Sequence, residues 1–558
     1  RYDTSWTRAD QATLRTLRLG DTITSSLDWT RAVRIAGVQW GRDFALRPDL
    51  VTFPVASISA SSVVPSSLSL YVNGIRQYAS RVPAGPFVVD RIPGISGAGV
   101  ATLVTRDALG RDVVTTVPLY IDTRLLAAGL SSYSLEAGFV RRRFSLRSFD
   151  YADNPAFSAS GRYGVRDALT LEGHAEGARG GYNLGAGLLA RLGNAGVISG
   201  SLAGSAGRGH GGLIGAGYQY VRPEFSLDLH STRTLGRYAD LGSLEQAEVP
   251  RRTDRATLSF PLPGSQSVTF SYIGYRLPAA ARIGSASYSV NLHSRLVASI
   301  SAYNDFSQPD ARGVFLSLSL MLGERRQASA STGRQNGQNT YGAGVQNNVA
   351  YAGGVGWSVR RGRAGNQRYT QGQVQYLGRY GQVTGFAQEW GRHTQAAAAA
   401  SGAVVWMDGA LTPSRRIDDG FALVSTGLPA VEVLHENRRL GRTNGNGHLL
   451  VPDLMPYQAN RISIDTENLP IDTRLGSTRQ VVVPYARSGV LARFDQARYI
   501  AATIILRMPD GAFVPSGAAV IHAESGRRSV VGYDGVAFVE DLRPTNHLEI
   551  RGRGVSCR

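Results

Sequence analysis

The stretch Val314-Phe-Leu-Ser-Leu-Ser-Leu-Met-Leu322 places a large apolar side chain at every second position, and two of the residues between them are serines. Successive side chains of a β-strand point to opposite faces, so this segment has one apolar face and one face of other character. Residues 169–176 (LTLEGHAE) and 225–230 repeat the alternation. The pattern returns about every 12–15 residues from about 130 to 406, while helical periodicity is weak. The sequence therefore predicts an all-β protein with one long antiparallel meander.

The composition indicates where such a meander could be stable. Of 558 residues, 66 are glycine, and only 18% are charged, which is below the usual quarter. A sheet with this many strands has to curl or close. A closed barrel in a membrane shows this alternation, with apolar residues towards lipid and polar residues towards the lumen. No apolar run is long enough for a transmembrane helix. We therefore expect a large transmembrane β-barrel.

The net charge of +18 is carried by arginine alone, since the chain contains no lysine. Nucleic-acid binding would require a basic stripe or a known module. Along the chain the arginines are scattered, with short clusters such as 141–143, 251–252, 325–326 and 360–361. We interpret them as residues of solvated loops and of a polar lumen, and we expect no nucleic-acid partner.

The sequence lacks the spacings of a catalytic or metal site. No two of its nine histidines lie within five positions of each other, and its only cysteine is Cys557. Gly207, Gly209 and Gly212 fit a dinucleotide-binding pattern, but such a site needs a helix after the glycines. Here another strand pattern follows, which favours a barrel turn. We predict no catalytic, cofactor-binding or metal-binding residue, no cofactor and no enzymatic activity.

Five polar residues share strand faces and form a candidate cluster. They are Glu172, His174, Glu176, Asp228 and His230. They could form a catalytic or ion-selective cluster in the lumen, or an ordinary water-facing barrel interior, and we favour the second interpretation.

Two segments depart from the meander. Residues 51–121 contain Asn73-Gly74, a strong hairpin signal, and a proline-rich turn over 82–87. They indicate a small β-domain inserted between barrel strands. From about 413 the chain has short strand-like segments separated by turn signals, which is typical of small β-sandwiches of about 60–85 residues each.

Taken together, these segments resemble the outer-membrane fimbrial ushers of the chaperone–usher pathway. The likeness rests on Leu17-Arg-Leu-Gly-Asp21 with Val33–Gly37, on Leu70–Gly74 through Val82–Phe87 to Val117-Pro118, on Gly445–Pro452, Asn460–Asp465 and Val483-Pro484, and on the unit from about 496 to Cys557-Arg558.

The resemblance implies the domain order. The family's barrels have about 24 strands, of which we expect about 20–22 here, with an inserted β-sandwich plug and two C-terminal Ig-like domains. The expected segments are 1–50 (first part of the barrel), 51–121 (plug), 122–408 (remainder of the barrel), 413–495 (first C-terminal periplasmic β-sandwich) and 496–558 (second, incomplete). A preceding N-terminal domain, one or two first strands and a continuation after Arg558 are also expected.

The resemblance also implies the function. Ushers in the bacterial outer membrane receive periplasmic chaperone–pilin subunit complexes, order subunit assembly by donor-strand exchange and secrete the fimbria through a plug-gated pore without ATP. Plug and C-terminal domains would be accessible to the periplasm. The implied partners are these complexes, outer-membrane lipid and a second usher copy.

The plug motif gives a set of candidate gate residues. The motif comprises Asn73, Gly74, Val82, Pro83, Gly85, Pro86, Phe87, Val117 and Pro118. Charges that could join plug and lumen are Arg76, Arg81, Asp90, Arg91, Arg106, Asp107, Arg111 and Asp112. These charges have a plainer interpretation, which is the solubility of a small domain. Cys557 could be a reactive thiol or one half of a disulfide; we favour the second, and the resemblance implies it because the family's second C-terminal domain usually has a pair of cysteines.

Two other interpretations of the protein class stay open at this point. Another plugged outer-membrane transporter would carry its plug before the barrel, whereas here the alternating segments 13–20 and 29–38 come first. A secreted adhesin built from several β-sandwiches would not need the unbroken alternation from about 130 to 406.

Overall fold

The computed structural model describes residues 3–557 except 55–57, 63–65, 73–74, 83–84, 90–96, 108–111, 145–146, 208, 245–247, 278–279, 309, 468–472 and 553–554. The protein forms two compact units. The first comprises residues 1–348, 357–373 and 386–397, and the second comprises residues 349–356, 374–385 and 398–558. In the described part of the chain, no helix is both long and apolar enough to cross a membrane.

The chain begins with three antiparallel strands, β1 (Ser5–Asp10), β2 (Arg15–Ile23) and β3 (Arg34–Arg42). A short 3-10 turn, Phe44–Leu46, follows, with the side chain of Asp43 accepting a hydrogen bond from the backbone N–H of Ala45. β3 then pairs with a strand that begins almost ninety residues later, at Ser131. The intervening chain is therefore an insertion between two neighbouring strands.

The inserted segment forms two sheets of its own. Its strands are β4 (Ile58–Ser62), β5 (Ser66–Val72), β6 (Ile75–Val82), β7 (Gly85–Val89), β8 (Gly97–Asp107) and β9 (Asp112–Ile121). β4 pairs with β7, and the second sheet has the order β6-β5-β8-β9. The bounds of the inserted domain, 51–121, stay a prediction.

The meander continues through eighteen strands. They are β10 (Ser131–Arg141), β11 (Tyr151–Arg166), β12 (Leu169–Ala178), β13 (Gly181–Arg191), β14 (Val197–Gly207), β15 (Gly211–Val221), β16 (Ser226–Gly236), β17 (Arg252–Leu262), β18 (Gln266–Arg276), β19 (Ala280–His293), β20 (Leu296–Asp305), β21 (Arg312–Met321), β22 (Arg326–Gln335), β23 (Gln338–Asn347), β24 (Gly354–Ala364), β25 (Gln367–Leu377), β26 (Gln382–Trp390) and β27 (His393–Ser401). With β1–β3 they form a sheet of 21 strands. One short helix, α1 (Leu241–Leu244), lies between β16 and β17.

The alternation of the sequence determines the two faces of this sheet. Directly paired residues lie on the same face, and the pairs Ala302↔Val314 and Ile300↔Leu316 place apolar side chains together. The pair Ser299↔Ser317 places hydroxyl groups on the other face, with their oxygens 2.7 Å apart. We call the face that carries Leu316 the outer face and the one that carries Ser317 the inner face. Val314 on the outer face is 50% exposed, which is typical of strands that meet lipid.

The remaining strands belong to smaller sheets. They are β28 (Ala403–Met407), β29 (Ala410–Ser414), β30 (Gly420–Ser425), β31 (Glu432–His435), β32 (Arg438–Arg442), β33 (His448–Leu454), β34 (Asn460–Ile464), β35 (Thr473–Leu475), β36 (Arg479–Val482), β37 (Gly489–Arg493), β38 (Gln496–Arg498), β39 (Ala502–Ile505), β40 (Ala519–His522), β41 (Arg528–Val530), β42 (Val536–Val539), β43 (Leu548–Gly552) and β44 (Val555–Cys557).

Two separate apolar cores support these small sheets. One joins β30, β31, β33 and β34 through residues such as Val424, Val433 and Ile462, all completely buried. The other lies after residue 500 and includes Val520 and Ala537, each 1% exposed. Separate cores are what independent small domains require.

Two predicted boundaries differ from the structure. The sequence assigns 403–407 to the barrel segment 122–408, but β28 pairs only with β29, in a hairpin outside the 21-stranded sheet. The alternation over 374–380 predicts one strand, but β25 ends at Leu377 because the chain turns there, with the N–H of Gly378 bonded to the carbonyl of Gly381 at 2.8 Å. Gly207 ends β14 and Gly211 begins β15, so the predicted turn at these glycines is confirmed.

Candidate functional site

A buried polar cluster occupies the inner face of β11, β12 and β13. The strand register pairs Arg162 with Glu172, Ser160 with His174, and Ser158 with Glu176. His174 and Glu176 are only 4% and 3% exposed. The prediction that they share a face is therefore correct, but the prediction that this face is open to water is wrong here. Charged side chains stay buried only where partners satisfy them, and the partners come from two connecting segments.

The first of these segments is 24–33, which connects β2 to β3 and folds over the inner face. Trp29 is 7% exposed, and its indole N–H donates to Glu172 Oε2 at 3.0 Å. The other oxygen of Glu172 accepts from Arg162 Nε at 3.0 Å. The indole ring lies over Gly185 and Gly187, where a Cβ would come within 2.6 and 2.7 Å of ring atoms. The two glycines of β13 therefore make room for the tryptophan.

His174 is held on three sides. Its Nδ1 lies 2.8 Å from Ser160 Oγ, and its Nε2 lies 3.3 Å from Glu176 Oε2. The ring of Trp29 meets the imidazole edge to face at 6.0 Å. The two polar contacts fix the imidazole on the sheet. The segment 24–33 is joined to it by the ring of Trp29 and by Ser160 Oγ, which donates to the carbonyl of Ser25 at 3.2 Å.

The second segment connects β16 to β17 and contains α1; we use the name 237–250 for its described residues, 237–244 and 248–250. The backbone N–H of Leu241 donates to Glu176 Oε1 at 2.9 Å. Asn183 Nδ2 and the Tyr238 hydroxyl are 2.6 Å apart. Burial raises the pKa of Tyr238 to about 12, so the phenol stays neutral at any physiological pH.

An ion pair joins the two segments to each other. The guanidinium of Arg31 donates to both oxygens of Asp240, at 2.5 Å each, and Arg31 Nη1 donates to the carbonyl of Glu248 at 3.0 Å. Burial alone would lower the pKa of Arg31, but the hydrogen bonds and charge of Asp240 raise it overall. Fork-like Arg–carboxylate pairs of this kind combine strength with fixed geometry.

A neighbouring set of contacts fixes the start of the first segment. Glu136 on β10 accepts from the backbone N–H of Ser25 at 3.1 Å and from Gln39 at 2.9 Å. Glu136 is 3% exposed.

We use the name covered part for the inner face of β10–β16, where the segments 24–33 and 237–250 lie on the sheet.

The inner face of β21–β25 is different, and we call it the open part. Ser317, Ser319, Gln346 and Gln371 line a recess of about 470 Å3 and are only half-buried. Their bonds stay between nearby strands, as in Gln346 Nε2 to Gln327 Oε1 at 3.1 Å. In the described residues, no connecting segment donates to or accepts from these four side chains.

The structure brings together only part of the predicted sites. His230, with Glu176 and His174, lines a recess of about 180 Å3 beneath Trp29, and Asp228 accepts from Gln219 at 3.2 Å on the adjacent strand. Of the plug residues, Asn73, Gly74, Pro83, Asp90, Arg91 and Arg111 lie outside the described residues. Arg76, Arg81, Val82, Gly85, Pro86, Phe87, Arg106, Asp107, Asp112, Val117 and Pro118 lie in β6–β9, and their roles stay predictions.

Two other predictions concern cysteine and metal. Cys557 lies in β44, opposite Ile550 of β43, and its disulfide stays a prediction. Within the described ranges, no group of three or more histidine, cysteine or acidic side chains could hold a metal ion.

The residues that the sequence missed lie in the two segments. Trp29, Arg31, Tyr238 and Asp240 carry most of the contacts, yet they belong to connections without periodicity. The available signal was indirect: Gly185 and Gly187 face His174 and Glu172 of β12 on one side and only Ala203 and Ser201 of β14 on the other.

Comparison with known proteins identifies the family. The model of the outer membrane usher protein family matches residues 2–241 and 271–494, and the PapC C-terminal domain model matches 503–558. The chain is 27% identical over 96% of its length to the Escherichia coli outer membrane usher protein FaeD and 25% identical over 97% to the Bordetella pertussis outer membrane usher protein FimC, covering 69% and 66% of those proteins. It thus spans about two thirds of their length.

A solved structure shows the same fold. The chain superimposes on an E. coli P pilus tip assembly intermediate, PapC-PapD-PapK-PapG, with a TM-score of 0.72 and 18% identity, covering 99% of this chain and 71% of that one. The family model and the usher relatives do not favour the alternatives of another plugged outer-membrane transporter or a secreted adhesin. The chain therefore belongs to the outer membrane usher proteins of the chaperone–usher pathway, which act in pilus assembly at the outer membrane.

Proposed function

We propose that the 21-stranded sheet is the wall of a transmembrane barrel, with about 24 strands in the family. Its outer face would meet outer-membrane lipid, and its inner face would line a pore. The exposed apolar side chains of the outer face support this, because Val314, Leu316 and Leu318 are 40–50% exposed. A second usher copy would pair through the same wall.

The inserted segment 51–121 would be the plug. A barrel of this size has a lumen too wide for its own side chains to fill, so a resting pore needs a folded obstacle. The observation that carries the proposal is the direct pairing of β3 with β10 around the insertion. In addition, β8 approaches β15, and β15 is already paired on both edges. β8 therefore does not reach β15 through edge pairing but over a face or an end of the sheet, as a plug would.

The segments 24–33 and 237–250 would act as a clamp that narrows the pore beside the plug. Both are fastened to the covered part by hydrogen bonds and to each other by Arg31 and Asp240. Polar contacts suit a gate, because water can replace them when the gate opens. The plug charges predicted from the sequence would add contacts of the same kind.

The two small β-domains over 413–495 and 496–558 would be the C-terminal Ig-like domains that hold chaperone–pilin complexes in the periplasm. The chain would order subunit assembly by donor-strand exchange, with no ATP and no covalent chemistry of its own, and release the fimbria through the pore. The PapC chain of the similar solved structure is assembled with PapD, PapK and PapG, which supports partners of this class.

Calorimetry tests this role. The chain in detergent, titrated with its chaperone–pilin complex, should give a saturable binding heat that a variant ending at residue 414 lacks. Binding of equal strength by the shortened variant would contradict the role of the C-terminal domains. Bare chaperone is the control for binding that does not involve the subunit.

A further inference from the structure

Six arginines form a row on the outer face, at one end of neighbouring strands. They are Arg276, Arg282, Arg312, Arg334, Arg361 and Arg363. Arg276 ends β18 and Arg312 begins β21. The strands alternate in direction, so these positions lie at the same end of the sheet, opposite the connection 43–130. We call this set the arginine row.

The register places the row on the outer face. Arg334 pairs with Val314 across β21 and β22, and Arg282 pairs with Gly274 across β18 and β19. Arg361 pairs with Ala343, which in turn pairs with Ala330 and so with Leu318 of the outer face. All but Arg363, which is half-buried, are exposed.

The other end of the same strands has a different composition. Its outer positions carry Leu292, Leu296, Leu320 and Trp357. Within the described part of strands β18–β24, the charged residue among the outer positions at that end is Arg326, which pairs with Asn347. The outer face is therefore strongly basic at one end and nearly uncharged at the other.

The arginine row has few acidic neighbours. Asp305 lies beside Arg282 and accepts a hydrogen bond from its backbone N–H at 3.1 Å, while the guanidinium of Arg282 donates to Ser307 Oγ at 3.3 Å and to the carbonyl of Phe306 at 3.1 Å. Just before the row, Asp254 joins Arg233 and Arg252 on the same face. Beyond that point, no ion pair to an acidic side chain occurs at the six arginines within the described residues. Arg334 and Arg363 use Nε to bond the turn carbonyls of Gly337 and Gly365, at 3.3 and 2.8 Å. Their remaining N–H groups stay available, since a guanidinium has five.

A recess of about 600 Å3 lies within the row. Small residues line it (Gly284, Ala286 and Ala302), and Arg312 and Arg334 also border it. This volume is within the range of ligand sites. Its lining also includes Val314, Tyr303, Ser285 and Asn304. Mainly small or apolar walls with two cations at the border fit a molecule that has an acyl chain and an anionic group.

We propose that the arginine row binds the phosphate groups of an anionic lipid in the membrane leaflet at this end of the barrel, with part of the lipid in the recess. Guanidinium groups bind phosphate in a bidentate manner, and basic positions at membrane edges bind anionic headgroups. Several like charges side by side repel each other unless anions lie between them. The proposal rests on the proposed function, because it needs the outer face to meet lipid.

The test is binding of purified diphosphorylated lipid A to the whole chain in detergent, measured by the shift in melting temperature as lipid is titrated. Phosphate-free lipid A and inorganic phosphate are run in parallel. The variant Arg312→Gln/Arg334→Gln should bind roughly 30-fold more weakly, given the usual contribution of each cation at a membrane surface. Arg326→Gln, at the opposite end of the outer face, should bind like the unchanged chain.

Equal binding by the double variant, or equal binding of the phosphate-free lipid, would overturn the proposal. Stabilisation by inorganic phosphate alone, equal to that by lipid A, would reassign the row to free phosphate. Insertion into planar bilayers is measured on the same samples. Normal insertion without lipid A binding defeats the lipid site alone, whereas failure of every sample to insert contradicts the transmembrane barrel.

Discussion

The covered part and the open part of the sheet have the same strand pattern but different inner faces. In the covered part, Glu172 and Glu176 accept hydrogen bonds from segments that return from distant parts of the chain, and the ring of His174 packs against Trp29. In the open part, Ser317 and Gln346 bond mainly to adjacent strands. The same strand pattern therefore carries an inner face with buried side chains in the covered part and an inner face with half-buried side chains in the open part. The difference arises from the connections, since 24–33 and 237–250 contribute the side chains and backbone groups that bond to the inner face of the covered part.

The largest expected effect concerns the strand pairing that borders the insertion. Gly37 of β3 faces Gly138 of β10, and a Cβ at Gly37 would overlap the carbonyl group of Ala137. Gly37→Val should therefore prevent the β3–β10 pairing and abolish folding into detergent-resistant protein, measured by the heat-dependent shift on gels. The control Gly200→Ala has open space around its Cβ and should fold. Normal folding of Gly37→Val would mean that this contact can relax.

A smaller effect is expected where the two segments meet. Asp240→Asn removes the charge that Arg31 faces and should cost about 2 kcal/mol in the free energy of unfolding, because the pair is partly buried. Protease cleavage within 237–250 should increase as the segment detaches. Arg312→Gln, on the outer face, controls for loss of a charge. Unchanged cleavage in Asp240→Asn would show that the ion pair does not hold the segments together.

These contacts show which features of the structure could be predicted from the sequence and which could not. The alternation of apolar and polar residues predicted the strands of the large sheet and its two faces, and the glycine pattern at Gly207 predicted a turn. It also grouped His174 with Glu176, because strand neighbours are set by local pattern. It did not predict that Trp29 bonds Glu172, which is 143 residues away. Similarly, the arginines are scattered along the chain, and only the register places Arg282, Arg312 and Arg334 in one row. Both the contact of Trp29 with Glu172 and the alignment of the arginines depend on which distant segments lie side by side, and local sequence pattern and composition do not determine that.

The smallest effect is a pH dependence confined to the covered part. Tyr238 has its pKa raised to about 12 in the folded protein, while an unfolded chain titrates near 10. The folded state then holds the proton more tightly, so the stabilisation is complete below pH 10. It is lost as pH rises from 10 to 12, at about 1.4 kcal/mol per pH unit.

Alkaline unfolding followed by circular dichroism measures this effect. Tyr238→Phe should flatten the slope between pH 10 and 12, whereas Tyr341→Phe, on the outer face of β23, should leave it unchanged. An identical slope in both variants would mean that the segment 237–250 does not shield the phenol in solution.

The central claim is that a folded insertion closes a pore lined by the inner face, and conductance across planar bilayers tests it most directly. The intact chain should show low, mostly closed conductance. A variant in which a short glycine-serine linker replaces residues 51–121 should form a stable open channel of high conductance. Equal conductance from the two proteins, with both inserted in the bilayer, would contradict the claim that this segment is the gate.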